Sequence, residues 1–497
     1  MTATDTILVA LILPLAGAVL IALTGSRPNL RESITLVTAG LLFLDVISLL
    51  PTVMAGGRPA TEPFQALPDF PIVFVVEPLG MVFATIASSL WILTSIYSIG
   101  YMRGNNEHDQ TRFYVSFAIA LSSTMGIAFS GNLLTLFVFY EILTLSTYPL
   151  VTHHGDAAAK QGGRTYLGLL ISTSIGFLLI AIIWTWVLTG TLDFKVGGIL
   201  AGKADGAMTA VLLFLYMYGI GKAALMPMHR WLPAAMVAPT PVSALLHAVA
   251  VVKAGVFCVV KVIVYVFGLD FLSGTGANQW LIYMAAFTLL SASLVAMRKD
   301  NLKARLAYST VSQLSYITLG AALATSMAAV GAGMHIAMHA FGKITLFFCA
   351  GAIYTALHKT EISDMRGIGR QMPVTMTAFF IGALSVTGLP PLGGAWSKWY
   401  MMLGAAETGE LLIVGVFIVS SLLNVAYLMP IVANAFFPIG GEPVPRSVGA
   451  AAAPDGIQEA PLACLIPLCL TALGCIALFF FADQIYAFLT PIAAKPG

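Results

Sequence analysis

Apolar runs of roughly twenty residues, the length that carries a helix across about 30 Å of hydrocarbon, recur along this chain from its beginning to its end. Inside a bilayer the backbone must be paired within each segment, so such runs can only be helices. Hydrophobic residues make up 59% of the sequence and charged residues 9%, well beyond what a soluble core requires. The pattern predicts an all-α polytopic membrane protein of about fourteen spans. They fall at residues 6–24, 33–54, 78–100, 113–130, 132–151, 163–189, 208–227, 240–265, 278–297, 305–324, 328–356, 374–404 with a break, 411–436 and 461–485. The run at 7–24 follows no basic stretch and precedes no small-residue cleavage site, so no removable signal peptide is expected.

Charge placement sets the orientation. With the N-terminus outside, fifteen of the 24 lysines and arginines fall on the cytoplasmic side, among them Arg103, Arg112, Arg298, Lys299, Lys303 and Arg305. The outer side then holds only Arg58, Lys195, Lys203 and Lys495, so both termini are expected outside a bacterial inner membrane. The net charge of +2 carries no implication of nucleic acid. Glu62, Asp69 and Glu77 lie in the Pro/Gly-rich loop 55–77 and read as a solvated outer face. A second polar stretch, 438–460, also reads as a loop. The five cysteines lack metal-ligand spacing and read as small core residues.

Five lysines remain inside predicted spans: Lys222, Lys253, Lys261, Lys343 and Lys398. A lysine at mid-bilayer costs on the order of 3 kcal/mol, so these must face protein or water. Lys261, near the outer end of its span, can snorkel and reads as structural. Glu141 is a carboxylate deep in its span that needs a partner, and Lys222 is the first candidate. Lys222 and His229 are seven apart, two helical turns if the helix continues, while His247 and Lys253 are six apart. His335, His339 and Lys343 follow i, i+4, i+8 spacing and project from one face, a plausible relay because histidine titrates near neutral pH. The residue types there do not suit a metal, and no cofactor fingerprint or phosphate loop accompanies them. Asp45 stands alone and reads as structural.

Two spans look interrupted, around Pro227 to Pro233 and at "GLPPLGGAWSKWY", residues 388–400. Unwound backbone survives in a membrane only inside protein or beside water, and broken helices mark the sites of transporters. The blocks 112–266 and 277–436 each hold five spans with the break in the fourth, the pattern of paired repeats. Residues 1–111 supply the first three spans and 437–497 a loop and the last one.

The segment "GKAALMPMHRWLPAAMVAPTPVSALLHAVAVVKAGVF", with "YSIGYM", "LAYSTVSQLSY", "HAFGKITLFFCAG" and the 388–400 stretch, resembles the antiporter-like proton-translocating subunits of respiratory complex I and Mrp-type Na+/H+ antiporters. The resemblance implies fourteen helices with two inverted five-helix repeats, each offering a half-channel. It matches Glu141 to the family's fifth-helix glutamate, Lys222 to the broken seventh-helix lysine and Lys253 to the eighth-helix lysine. It likewise matches His335, His339 and Lys343 to the eleventh-helix axis and Lys398 to the broken twelfth. The short C-terminus and Lys398 are similar to the Mrp D subunits, which implies small hydrophobic subunits and a larger A-type subunit as partners, and H+ and Na+ as the ions. A component of a complex I-type quinone oxidoreductase, or of a related redox or inorganic-carbon uptake complex, is the alternative. Neither implies covalent catalysis by this chain. Family members often carry an acidic residue after "WLP", where Ala234, Ala235 and Met236 stand here.

Overall fold

The computed structural model describes residues 2–68, 70–245, 249–437 and 456–494. It is helical almost throughout, and among the described residues nine helices are long and apolar enough to cross a membrane by length and composition. Every expected span contains helix. The less apolar ones, Gln110–Ala128 and Leu302–Ala322, and the shorter Gly206–Gly219 and Pro373–Thr387, complete the bundle. Between the second and third spans lies a feature the loop reading missed, a small antiparallel hairpin of Phe64–Leu67 and Phe70–Ile72.

Helix Ser326–Leu357 is the pillar of the fold. Its apolar window is 94% buried, against 33% for Leu411–Phe436 or Leu462–Phe480, so this helix is enclosed by protein while those face lipid. Around it pack Pro78–Gly104, Val251–Val262, Leu302–Ala322, both halves of the twelfth span and Leu462–Phe480. A polar side chain on the pillar therefore meets protein groups on every side, the condition under which the bilayer tolerates charge.

Both broken helices are present, but the first breaks earlier than its prolines suggest. Helix Gly206–Gly219 stops at Ile220, and a 3₁₀ turn, Gly221–Ala223, follows, closed by Ala224 at φ +55°. Lys222 thus sits in the break itself, and the two-turn relation to His229 does not exist. His229 instead places its ring 6.1 Å from that of Tyr308. The reason is tertiary: the Tyr140 hydroxyl accepts from the Lys222 backbone N–H at 3.1 Å, and helix Val251–Val262 presses on the turn at Gly255. A Cβ at Gly255 would lie 2.4 Å from the carbonyl carbon of Lys222. Gly255→Val is accordingly expected to destabilise the protein by about 1–3 kcal/mol through overpacking against rigid backbone. The check is a lowered melting temperature of the solubilised protein.

The second break lies where expected. Helix Pro373–Thr387 ends at Gly388, whose φ of +90° only glycine adopts without strain, and helix Gly394–Glu407 resumes the span.

Two readings of the outer side are overturned. Lys261 does not snorkel: it is 1% exposed, donates to the Ser130 carbonyl at 2.8 Å and lies 3.4 Å from Glu77. Glu77 is likewise no solvated residue. It is 5% exposed, caps helix Pro78–Gly104 by accepting from the Leu79 and Gly80 N–H groups, and accepts the Tyr265 hydroxyl at 2.6 Å. Helix-terminal N–H groups and a lysine together supply the polarity that water would otherwise give. Asp69 lies outside the described residues, as do 438–455 of the second expected loop.

Candidate functional site

Lys222 is wholly buried, with its Nζ donating to the Tyr140 carbonyl at 2.7 Å and to Thr144 Oγ1 at 2.5 Å. The Tyr140 ring centroid lies 3.1 Å from the same nitrogen, so helix Leu133–Val151 grips the ammonium with a carbonyl, a hydroxyl and a π-face. Glu141, the next residue on that helix, acts on Lys222 electrostatically but makes no contact with it within 4 Å. Both its carboxylate oxygens are buried without a hydrogen-bond partner. The expected pair is therefore a through-space one, and the direct partners of Lys222 are residues the sequence reading did not single out.

Lys253 reaches from helix Val251–Val262 to the pillar, where its Nζ is 2.5 Å from His339 Nδ1. At that distance one nitrogen donates to the other: the lysine amine or ammonium to a neutral imidazole, or the ring N–H to a neutral amine. The remaining His339 nitrogen, Nε2, is buried and unpartnered. One turn away along the pillar, the His335 ring stacks on that of His339 with centroids 5.8 Å apart and planes 12° apart. His335 Nε2 faces Gln313 Oε1 at 3.1 Å, which makes that nitrogen the donor and leaves Nδ1 to accept from the Ser397 hydroxyl at 2.8 Å.

From the histidines the row divides. One turn further, Lys343 donates to Ser309 Oγ at 2.6 Å and to the Leu306 carbonyl at 3.3 Å. The Tyr427 hydroxyl lies 2.8 Å from the same Ser309 oxygen and hydrogen bonds to Asn424. In the other direction, Lys398 donates at 2.9 Å to the carbonyls of Val386 and Thr387, the last two residues of the first half-helix. Those carbonyls have no helical partner and form the negative end of the helix dipole, so a broken helix is what gives this lysine its site. The Tyr316 ring, 4.3 Å from Lys398 Nζ and 5.8 Å from the His335 ring, closes the gap between them.

The structure thus brings together Lys253, His339, His335, Lys343 and Lys398, with Lys222 in the break of the preceding span, which helix Val251–Val262 touches at Gly255. His229 stands apart from them, and His247 lies outside the described residues. Gln313, Ser309, Tyr316, Ser397, Tyr427 and Asn424 were missed as linking groups. Three of them had a readable signal: Ser309, Gln313 and Tyr316 in "LAYSTVSQLSY" are spaced four and three apart, one face of a helix. Orphaned buried atoms cluster along the same row, including Gln313 Nε2, Asn424 Nδ2, Ser420 Oγ and Ser385 Oγ. Buried polar groups of this kind are ordinarily satisfied by internal water. Among the described residues no group of three or more His, Cys, Asp or Glu side chains is placed to hold a metal ion.

Residues 130–424 match the family described as NADH:quinone oxidoreductase/Mrp antiporter, TM. The chain belongs to this family. Among its relatives is the NADH-quinone oxidoreductase subunit N of Desulforudis audaxviator (strain MP104C), 31% identical over 496 residues and covering 96% of this chain and 95% of that protein. A second relative, from Rhizobium meliloti (strain 1021), bears the name of a probable K(+)/H(+) antiporter component of the A/B type and is 32% identical over 371 residues, or 74% of this chain and 36% of its own length. The structure of the Mrp complex from Dietzia sp. DQ12-45-1b contains a chain with the same fold, with a TM-score of 0.86 over 99% of this chain and 97% of that one at 22% identity. A multi-pass, antiporter-like membrane subunit of the Mrp and complex I type therefore carries the buried row.

Proposed function

We propose that this chain is the proton-translocating D-type subunit of a multi-subunit monovalent cation/proton antiporter, with Na+ as the coupled ion. The observation that carries the reading is the Lys253–His339 contact, a nitrogen-to-nitrogen hydrogen bond at the centre of a row of titratable groups on an enclosed helix. Transfer across that contact inverts which partner is charged, and His335, stacked on His339, is the next acceptor. Lys343 and Lys398 are the two outlets, each held by oxygen atoms that accept strongly from an ammonium and weakly from a neutral amine, so either protonation state keeps a partner. Charge on Glu141 sets the proton affinity of Lys222 from a distance, and Lys222 in turn repels or admits a proton at Lys253. His247 belongs to the same path.

Residues 112–266 and 277–436 act as two inverted repeats, each contributing a half-channel, with 1–111 and 437–497 as flanking units. Both termini face outward, and the other members of the antiporter, one large A-type chain and several small hydrophobic chains, complete the assembly in a bacterial cell membrane. A second reading, a proton-pumping subunit of a redox complex, draws support from the end-to-end match to subunit N.

Inverted vesicles holding the assembled complex decide between these readings. A pulse of Na+ is expected to drive proton movement, read by a pH-sensitive dye, with no electron donor present, and K+ is the comparison ion. Proton movement that ignores both cations and requires donor and quinone would replace the antiporter reading with the redox one.

A further inference from the structure

A second group of titratable side chains lies at the end of the bundle that carries Arg103, Arg112, Arg298 and Lys299, away from the buried row. Glu107, in the turn after helix Pro78–Gly104, is 11% exposed at its side chain and faces histidines from another segment. His154 Nε2 is 3.3 Å from its Oε2, and His153 Nε2 is 3.8 Å from the same oxygen. His153 is 1% exposed and stacks on His108, with centroids 5.2 Å apart and planes 3° apart. Beneath Glu107 and His154 lies a cavity of about 180 Å³, lined further by Lys303, Lys359, Tyr101, Tyr354 and Thr240. Lys303 donates to the Ala238 carbonyl at 2.6 Å, Lys359 to the Asp364 carbonyl at 2.6 Å, and Thr240 Oγ1 is 3.5 Å from the Tyr101 hydroxyl.

One residue of the cavity lining, Thr240, lies in the span that also carries Lys253. Thr240 opens the short helix Thr240–Ala244, which contains Ser243, whose hydroxyl is buried and unpartnered. The same span carries Lys253 on its later helix, and Thr240 also packs on the pillar beside Gly351. We propose that Glu107 and His154 are the proton-uptake site of this chain, passing protons through the cavity past Thr240 toward Lys253, an inference that rests on the proton-translocating reading above.

The local electrostatics suit that task. Burial alone would raise the Glu107 carboxyl, but the hydrogen bond and charges of His154, His153 and His108 outweigh it and leave the group below its ordinary value. The same hydrogen bond to Glu107 raises His154, while burial pulls His153 down to about 4. The pairing thus favours the ionised carboxylate at Glu107 and the protonated ring at His154, beside a His153 that is uncharged near neutral pH. Asp109 and Arg112 flank the group, Asp109 within 3.2 Å of both His108 and Arg112, and balance each other. Lys303, on the cavity wall, is pulled down to about 8 by its burial, against which the charge of Glu107 acts to raise it.

Glu107→Gln in the assembled complex is the test, with cation-driven proton uptake measured across pH in vesicles and Lys222→Ala run in parallel. At about pH 8.5, where free protons are scarce, the rate is expected to fall about tenfold, with a much smaller loss at about pH 6.5. Imidazole added as a mobile proton carrier is expected to restore the rate, Glu107→Asp to retain most of it, and His154→Gln to behave as Glu107→Gln does. An unchanged rate at every pH, or a loss that is uniform with pH and indifferent to imidazole, overturns the uptake site while a dead Lys222→Ala leaves the transport reading standing. Wild-type transport in Lys222→Ala would instead overturn the reading on which the site rests.

Discussion

Replacing Lys222 by alanine is expected to lower proton transport by about 100-fold or more while the complex still assembles. The argument turns on what the lysine leaves behind. Thr144 Oγ1 retains its bond to the Tyr140 carbonyl one turn back on its own helix, at 3.0 Å, so removing the amine strands neither oxygen. Gly221 O also keeps its donor, the Trp231 indole N–H at 3.0 Å, and the unwound turn keeps that anchor. What is lost is the titratable group on which Glu141 acts from a distance. Lys222→Arg separates a proton carrier from a charge that merely pins helices. A guanidinium stays protonated at any accessible pH, so transport fails in Lys222→Arg if Lys222 must release its proton and survives if positive charge alone matters. Transport rate per assembled complex, with assembly followed by co-purification, is the measurement for both variants.

The parts of this site that could be read from sequence are those whose logic is local. Helical spacing puts His335, His339 and Lys343 on one face, and the Pro-Pro-Leu-Gly-Gly stretch marks the second break because its residues cannot continue a helix. The first break was misplaced because its cause is not local. The helix ends at Gly219, before any proline, where Tyr140 from one span and Gly255 from another fix the Lys222 turn. The same holds for the linking groups: a serine or glutamine in an apolar span looks like ordinary helix-packing polarity until a second helix brings a lysine or histidine to it. Glu141 and Lys222 were recognised as partners, but only coordinates reveal that Lys222 is held by the backbone and hydroxyl of Glu141's neighbours rather than by its carboxylate.

Glu77 and Lys261 were both misread as outward-facing, and their pairing leads to the largest expected effect on stability. Lys261, at 1% exposure, has as its polar contacts the Ser130 carbonyl and Glu77 Oε1, with the rings of Phe194 and Phe257 about it at 4.8 and 5.2 Å. Glu77→Ala leaves that ammonium buried beside aromatic rings and removes the cap of helix Pro78–Gly104 and the acceptor of the Tyr265 hydroxyl. Breaking one side of a buried pair costs about 3–5 kcal/mol. The loss of the cap adds about 1 kcal/mol. The double variant Glu77→Gln with Lys261→Met should recover most of the loss. Glutamine's carbonyl still accepts from the helix N–H groups, methionine fills the lysine's volume, and no charge is left unpaired. Thermal unfolding of the purified complex in detergent, for both single variants and the double, provides the cycle. Additive losses would mean that the two groups act independently; recovery in the double shows that the pair's role is to neutralise itself where helix Pro78–Gly104 meets the Lys261 helix. That junction lies one turn beyond Phe257 on the helix that carries Lys253, so a softened pair would also loosen the support of the Lys253–His339 contact.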